Sequence, residues 1–185
     1  HYLFCDTSLL KYESQNNLLF TNDYLYSIFH SDFVKNRTYL ARKIYIDPKS
    51  RDLEDNKEKI FWHLISREEK ETYWENGIKK FRSRGRYPDY RRAERIGWVK
   101  EILENHTHEK IKLFYHRESN KKRDIRLYLW AYEEDFVVIL QKLGKSSSFL
   151  VTSFYIDHPG KRDDYQKRYE KYRNGDETLK GCEWF

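Results

Sequence analysis

One histidine, His63, lies inside the apolar run Ile60 to Ser66 (IFWHLIS). Imidazole exchanges a proton near neutrality, so His63 is either a satisfied core residue or a proton-transfer group. Arg92, Arg95 and Val99 follow at i, i+3 and i+7. Both arginines therefore flank an apolar stripe, where a guanidinium needs a carboxylate or a phosphate. Arg126 alternates with Tyr128, Trp130 and Tyr132, which places all four on one strand face. Either bases stack on that face with a phosphate clamped beside them, or a second helix covers it. Thr152 and Ser153 set adjacent hydroxyls near a strand end. They can hydrogen-bond a phosphate, and they are also ordinary strand residues. By period two, Thr152 shares a face with Leu150, Phe154 and Ile156, and Ser153 with Tyr155. Imidazole, guanidinium and hydroxyl suffice to cut RNA without a metal. A base takes the 2′-OH proton, the oxygen attacks the adjacent phosphate, and arginines offset the charge that develops.

The charge distribution points the same way. The chain has 36 Lys and Arg against 30 Asp and Glu, a surplus of six. Lys79 to Arg95 (KKFRSRGRYPDYRRAER) alone holds eight basic and two acidic residues. The net positive charge is thus concentrated in one segment, with Tyr87 and Tyr90 among its arginines. Such a cluster suits a phosphate-rich partner, and Lys79, Lys80, Arg82, Arg84 and Arg86 would track an RNA backbone. The alternative is a solvated basic loop.

Other chemistries lack their signatures. No P-loop, dinucleotide-binding glycine pattern, zincin helix or nucleophile elbow occurs, and no carboxylate cluster suits a two-metal nuclease. Cys5, Cys182 and the scattered histidines show no zinc-ligand spacing, so neither metal nor cofactor is expected. The two cysteines read as free thiols of a reducing cytosol rather than as a terminal staple. There is no apolar run of about 18 residues and no secretory pattern, so a cytoplasmic protein off the membrane is expected. The chain begins at His1 and has no methionine, which reads as a trimmed, tagged or released fragment.

These residues need elements to position them. Hydrophobic residues make up 38% and aromatics 17%, so much of the core must be rings. At 185 residues a single domain is expected, with 1–59 an N-terminal elaboration, 60–173 the core and 174–185 a tail. Leu25, Ile28, Phe29 and Phe33 mark a helix starting after the Asn22-Asp23 cap. Ala41 to Ile46 and Ile60 to Ser66 read as strands, and Lys49 to Lys59 as a surface loop. Arg67 to Arg86 reads as a long loop with a short helix near Glu69 to Trp74. One helix runs from Pro88-Asp89 to about Glu104, and Gly97 within it implies close approach of another element. Strands follow at 111–115, 125–132, 136–142 and 148–156, the last three an antiparallel meander. His158-Pro159-Gly160 precedes a charged helix to Arg173. The fold class is α+β, helices packed on an antiparallel sheet of about four strands.

The order FWHLISR, RYPDYRRAERIGWVKEILEN, RLYLWAYEEDFVVIL, FLVTSFYID resembles compact phage and bacterial proteins grouped with the barnase, EndoU, colicin and RelE-like ribonucleases. The similarity covers roughly residues 60–172. It implies a helical part on a four-stranded antiparallel sheet, metal-free RNA cleavage and toxin activity. Carried over, it points to His63, Arg92, Arg95, Thr152 and Ser153. No second histidine matches, which departs from a two-histidine EndoU-like site. The leading expectation is a metal-independent endoribonuclease, a toxin or phage-defence effector acting on tRNA, rRNA or mRNA. Catalysis would fall to His63, Arg92, Arg95, Arg126, Thr152 and Ser153. Tyr128, Trp130, Tyr155 and the basic segment would bind substrate. The alternatives are a non-catalytic nucleic-acid-binding module, and an interaction protein whose basic loop meets an acidic antitoxin or immunity protein.

Overall fold

The computed structural model describes residues 18–185. Cys5, and with it any Cys5–Cys182 pairing, lies outside them. The chain opens with α1 (Leu18–Phe29), which widens into a π-helical turn (His30–Lys35). The helix begins before Asn22, so that residue is not its cap. Leu25, Phe29 and Phe33 of its apolar stripe are buried. A short hairpin follows, β1 (Tyr39–Leu40) and β2 (Ile44–Asp47), and then a small two-stranded ribbon, β3 (Leu53–Glu54) and β4 (Lys57–Glu58).

Two segments differ from the sequence expectation. Ile60 to Ser66 is mostly helix, α2 (Lys59–Ile65), and not a strand. A short apolar run cannot be assigned by periodicity alone. Here Phe61, Leu64 and Ile65 bury at helical spacing. The basic segment is not a loop. It pairs as β5 (Ser66–Glu75) and β6 (Ile78–Pro88), an antiparallel ribbon separate from the main sheet. Asn76 and Gly77 form its two-residue turn at φ 52° and 74°. Positive φ at both positions is what such a turn requires and what Asn-Gly supplies. Gly85, at φ 104°, sits where the register shifts opposite Glu69 and Lys70.

The expected long helix is two pieces, α3 (Tyr90–Ala93) and α4 (Trp98–Glu104). Gly97 caps α4 instead of lying in a helix interior. A methyl group there would meet only Ile28 at ordinary distance, 3.9 Å, so Gly97 marks no close approach. The meander is present as β7 (Ile111–Arg117), β8 (Ile125–Ala131), β9 (Phe136–Lys142) and β10 (Ser147–Tyr155). The sheet is larger than expected, with six strands in the order β1-β2-β10-β9-β8-β7. The pairing of β2 with β10 is parallel and the rest antiparallel.

Helices cover both sheet faces. One core joins Phe29, Phe61, Val99 and Ile102 to Leu127, Leu129, Val138 and Leu140. The other places Tyr165 of α5 (Pro159–Arg173) against Phe114, Tyr128, Trp130, Ile139 and Phe154. His158 caps α5, its Nδ1 accepting from the Gly160 N–H at 3.1 Å. The expected tail is docked. Trp184 is buried, and its backbone N–H donates to the Tyr115 hydroxyl at 2.9 Å. Among the described residues no helix is long and apolar enough to cross a membrane.

Candidate functional site

The last carbonyls of a helix have no intrahelical partner and carry partial negative charge, so cations collect there. At the end of α2 two arginines do so. Arg86 Nη2 donates to the Ser66 carbonyl at 2.7 Å and to the His63 carbonyl at 3.3 Å. Arg92 Nη1 donates to the same two carbonyls at 2.9 and 3.5 Å. Arg86 Nε also donates to Ser66 Oγ at 2.9 Å. Arg86 arrives from the base of β6 and Arg92 from α3. Asp89, the cap of α3, lies 3.4 Å from Arg92 Nε and 3.8 Å from Arg67 Nε, and Asp157 lies 3.4 Å from Arg67. Arg92 Nε is buried without a hydrogen bond, so its approach to Asp89 is ionic contact only.

His63 is half-buried beside this pair. Its pKa is pushed down to about 4, first by burial and then by the charges of Arg86 and Arg92. The ring is therefore a neutral imidazole at pH 7. It opens onto a depression of about 220 Å³ shared with Lys49, Lys59, Phe149 and Val151. Lys59 pairs with Asp52 at 2.8 Å, while Lys49 Nζ sits 3.6 Å over the Phe149 ring. Arg92 also reaches over Phe154, as does Lys161 from α5, at 5.6 and 4.0 Å from the ring centre. Burial and the neighbouring Arg92 and Arg168 lower the Lys161 pKa.

The expected site residues divide. His63, Arg86 and Arg92 come together. Thr152 is half-buried two residues before Phe154, and its Oγ1 lies 3.4 Å from the Ser153 carbonyl. Its assigned face needs correction. The register slips between Leu150 and Thr152, so Val151 is an extra residue. Leu150 therefore packs in the core under α2, whereas Phe154 and Ile156 pack under α5. A bulge breaks the period-two count. Ser153, opposite Val138, is buried and unavailable to substrate. Arg95 donates to the Arg91 carbonyl at 2.9 Å and lies over Trp98 and Tyr155 at 5.0 and 5.4 Å, away from His63. Tyr155 instead lines a second depression of about 340 Å³ with Arg67, Arg91 and Asp157.

The β8 face is no stacking platform. Tyr128 and Trp130 are 3% and 1% exposed beneath α5. The Tyr128 hydroxyl donates to Glu118 at 2.5 Å, and burial raises its pKa. Arg126 is held by Gln141 at 3.2 Å and lies 4.0 Å from Glu118. Lys79, Lys80, Arg82 and Arg84 stand on the exposed ribbon. Arg82 and Arg84 share Glu71 at 2.7 and 3.2 Å, and Lys80 pairs with Glu75.

Sequence reasoning missed Arg67, Asp89, Asp157 and Lys161 around the centre, and Trp74 and Phe81 on the ribbon. Asn76-Gly77 between alternating residues was the signal for the last two. The others carry none, because they converge only through the fold. Among the described residues no group of three or more His, Cys, Asp or Glu is placed to hold a metal ion.

No known family profile matches the chain, and no solved structure does. A 5-methylthioadenosine/S-adenosylhomocysteine deaminase of Caldicellulosiruptor saccharolyticus is 32% identical over 98 residues. That stretch is 53% of this chain and 20% of the deaminase, so the chain spans about a fifth of the curated relative it matches.

Proposed function

We propose that this chain is a metal-independent endoribonuclease, in keeping with the resemblance to the barnase, EndoU, colicin and RelE-like group. One observation carries the reading: a neutral imidazole, His63, beside two convergent guanidiniums at the base of an exposed basic ribbon. A phosphodiester drawn to Arg86 and Arg92 adds negative charge next to His63 and makes its ring more basic. His63 then takes the 2′-OH proton, and the oxygen attacks the adjacent phosphorus. The P–O5′ bond breaks, leaving a 2′,3′-cyclic phosphate and a 5′ oxygen that takes its proton from solvent. The two arginines offset the charge that builds on the phosphorus oxygens.

The test is incubation of the protein with total RNA and purified tRNA in excess EDTA, with product ends resolved. Fragments ending in 2′,3′-cyclic phosphate are expected. His63→Ala should slow their formation by about 10²- to 10⁴-fold and leave RNA binding in place. Intact RNA on every substrate overturns the reading. A second reading, a non-catalytic RNA-binding module, is favoured by the exposed rings of the ribbon. It predicts a salt-sensitive complex and no products.

A further inference from the structure

The two faces of the β5–β6 ribbon differ in kind. Register pairs Trp74 with Lys79, Thr72 with Phe81 and Lys70 with Ser83, so these six side chains share one face. The opposite face carries Glu71, Tyr73, Glu75, Ile78, Lys80 and Arg82. There the charges cancel across the strands, Glu71 with Arg82 and Glu75 with Lys80, and Arg82 lies over Tyr73 at 5.8 Å. The first face has no carboxylate from Lys70 outward. Its two large rings are the open ones, Trp74 68% and Phe81 61% exposed, with Lys79 Nζ 5.5 Å from the Phe81 ring centre. Following the register inward, this face passes Glu68 and Arg86 and ends at Ser66, where Arg86 and Arg92 converge beside His63.

We propose that this face is a track for single-stranded RNA, with unpaired bases stacked on Phe81 and Trp74 while the scissile phosphate lies at Arg86 and Arg92. The proposal rests on the ribonuclease reading for the second half of that statement only. The chemistry favours RNA over an acidic protein. A polyanionic protein is met by a field of cations, but here the free charge is sparse and the open surface is aromatic. Rings spaced along a strand with lysine beside them fit nucleobases joined by phosphates, and every base has a π face to offer. Duplex hides those faces, so the track selects unpaired RNA. From Ser66 to Trp74 the strand spans about 27 Å at roughly 3.4 Å per residue. The rings thus lie several nucleotides from the point of cleavage, and the ribbon's twist turns the track as it leaves the body.

The experiment compares W74A/F81A with Y73A/I78A, the matching pair on the other face. Binding of a fluorescein-labelled 12-nucleotide RNA, 2′-O-methylated throughout so that no 2′-OH is free to attack, is measured by anisotropy. Cleavage of a dinucleotide too short to reach the rings is measured alongside. W74A/F81A is expected to weaken 12-mer binding on the order of ten- to a hundredfold. Its salt slope should stay as in the unsubstituted protein, because no phosphate contact is removed. Y73A/I78A should stay within about twofold of the unsubstituted protein, and both pairs should cut the dinucleotide normally. Equal loss from both faces, no loss from W74A/F81A, equal affinity for a duplex, competition by polyglutamate at matched charge, or no 12-mer binding by the unsubstituted protein overturns the track. Selective loss of binding without dinucleotide cleavage keeps the track and removes the catalytic reading. Dinucleotide cleavage with unaltered 12-mer binding does the reverse.

Discussion

β8 and β6 both alternate rings with cations, yet they lie in opposite environments. β8 presents Arg126, Tyr128 and Trp130, and α5 lays Tyr165 over the two rings. β6 presents Lys79 and Phe81, and no described residue folds back over them. The covering helix decides the difference, not the strand. Tyr165, Tyr169 and Tyr172 recur on one side of α5, and together with β8 they make a closed aromatic layer. The ribbon has no such complement in the described chain. A contiguous row of exposed rings is more informative than a single one, because large exposed apolar patches are uncommon.

The largest effect that tests this contrast is on stability. Trp130→Ala should destabilise the fold by about 3–5 kcal/mol, and Trp74→Ala should stay within about 0.5 kcal/mol of the unsubstituted protein. Urea midpoints of the two variants check this. Similar losses would mean that the ribbon packs against something. Next come the arginines. Arg92→Ala removes donors from two carbonyls at the end of α2 and should cost about 1–3 kcal/mol. Arg82→Ala, on the solvated charge ladder, should leave the midpoint unchanged. A large shift from Arg82→Ala would make the ladder structural.

The effect that is absent at neutral pH, and so comes last, is in the pH dependence. His63 titrates near 4 in the folded chain and near 6.5 when unfolded. Between those values the unfolded chain binds a proton that the folded chain does not. The stability from this group is therefore complete above about pH 6.5 and drains away as pH falls towards 4. Burial also lowers His106 and His116, so the unsubstituted protein loses stability in acid through several groups. His63→Gln should flatten the midpoint-against-pH curve between pH 7 and 4 without abolishing its slope. A parallel curve would show that the ring is not held neutral by its surroundings.

Much of the body was legible from local pattern. Apolar strands at 125–132, 136–142 and 148–156, joined by short loops, specified an antiparallel meander. Leu25, Phe29 and Phe33 specified the first helix. What escaped was set elsewhere in the chain. The parallel pairing of β2 with β10 joins strands with no mutual signature in sequence. Val151 is invisible as a bulge until its partner strand is known, and it moved Thr152 to the face opposite Leu150. A strand reading for His63 follows from a seven-residue, mostly apolar run that fits both periods. The ribbon's polar composition reads as a loop, although Asn76-Gly77 marks a hairpin. Of the candidate site, His63, Arg86 and Arg92 were identifiable by type. The lost residues, Arg126, Tyr128, Trp130 and Ser153, were excluded by burial and neighbours, which composition does not reveal.

The parallel pairing also sets an order of events during synthesis. Tyr45 meets Ser147 across about a hundred positions, and closing such a loop is slow and entropically costly. The ribbon closes over two residues. On a ribosome, β5 and β6 are complete and free to pair long before β10 has emerged to dock with β2. The strand that carries Arg86 thus exists well ahead of the sheet that fixes Arg92 and Lys161 around Phe154. The ribbon is thus an early, local piece of the fold, and the β2–β10 seam closes the body last.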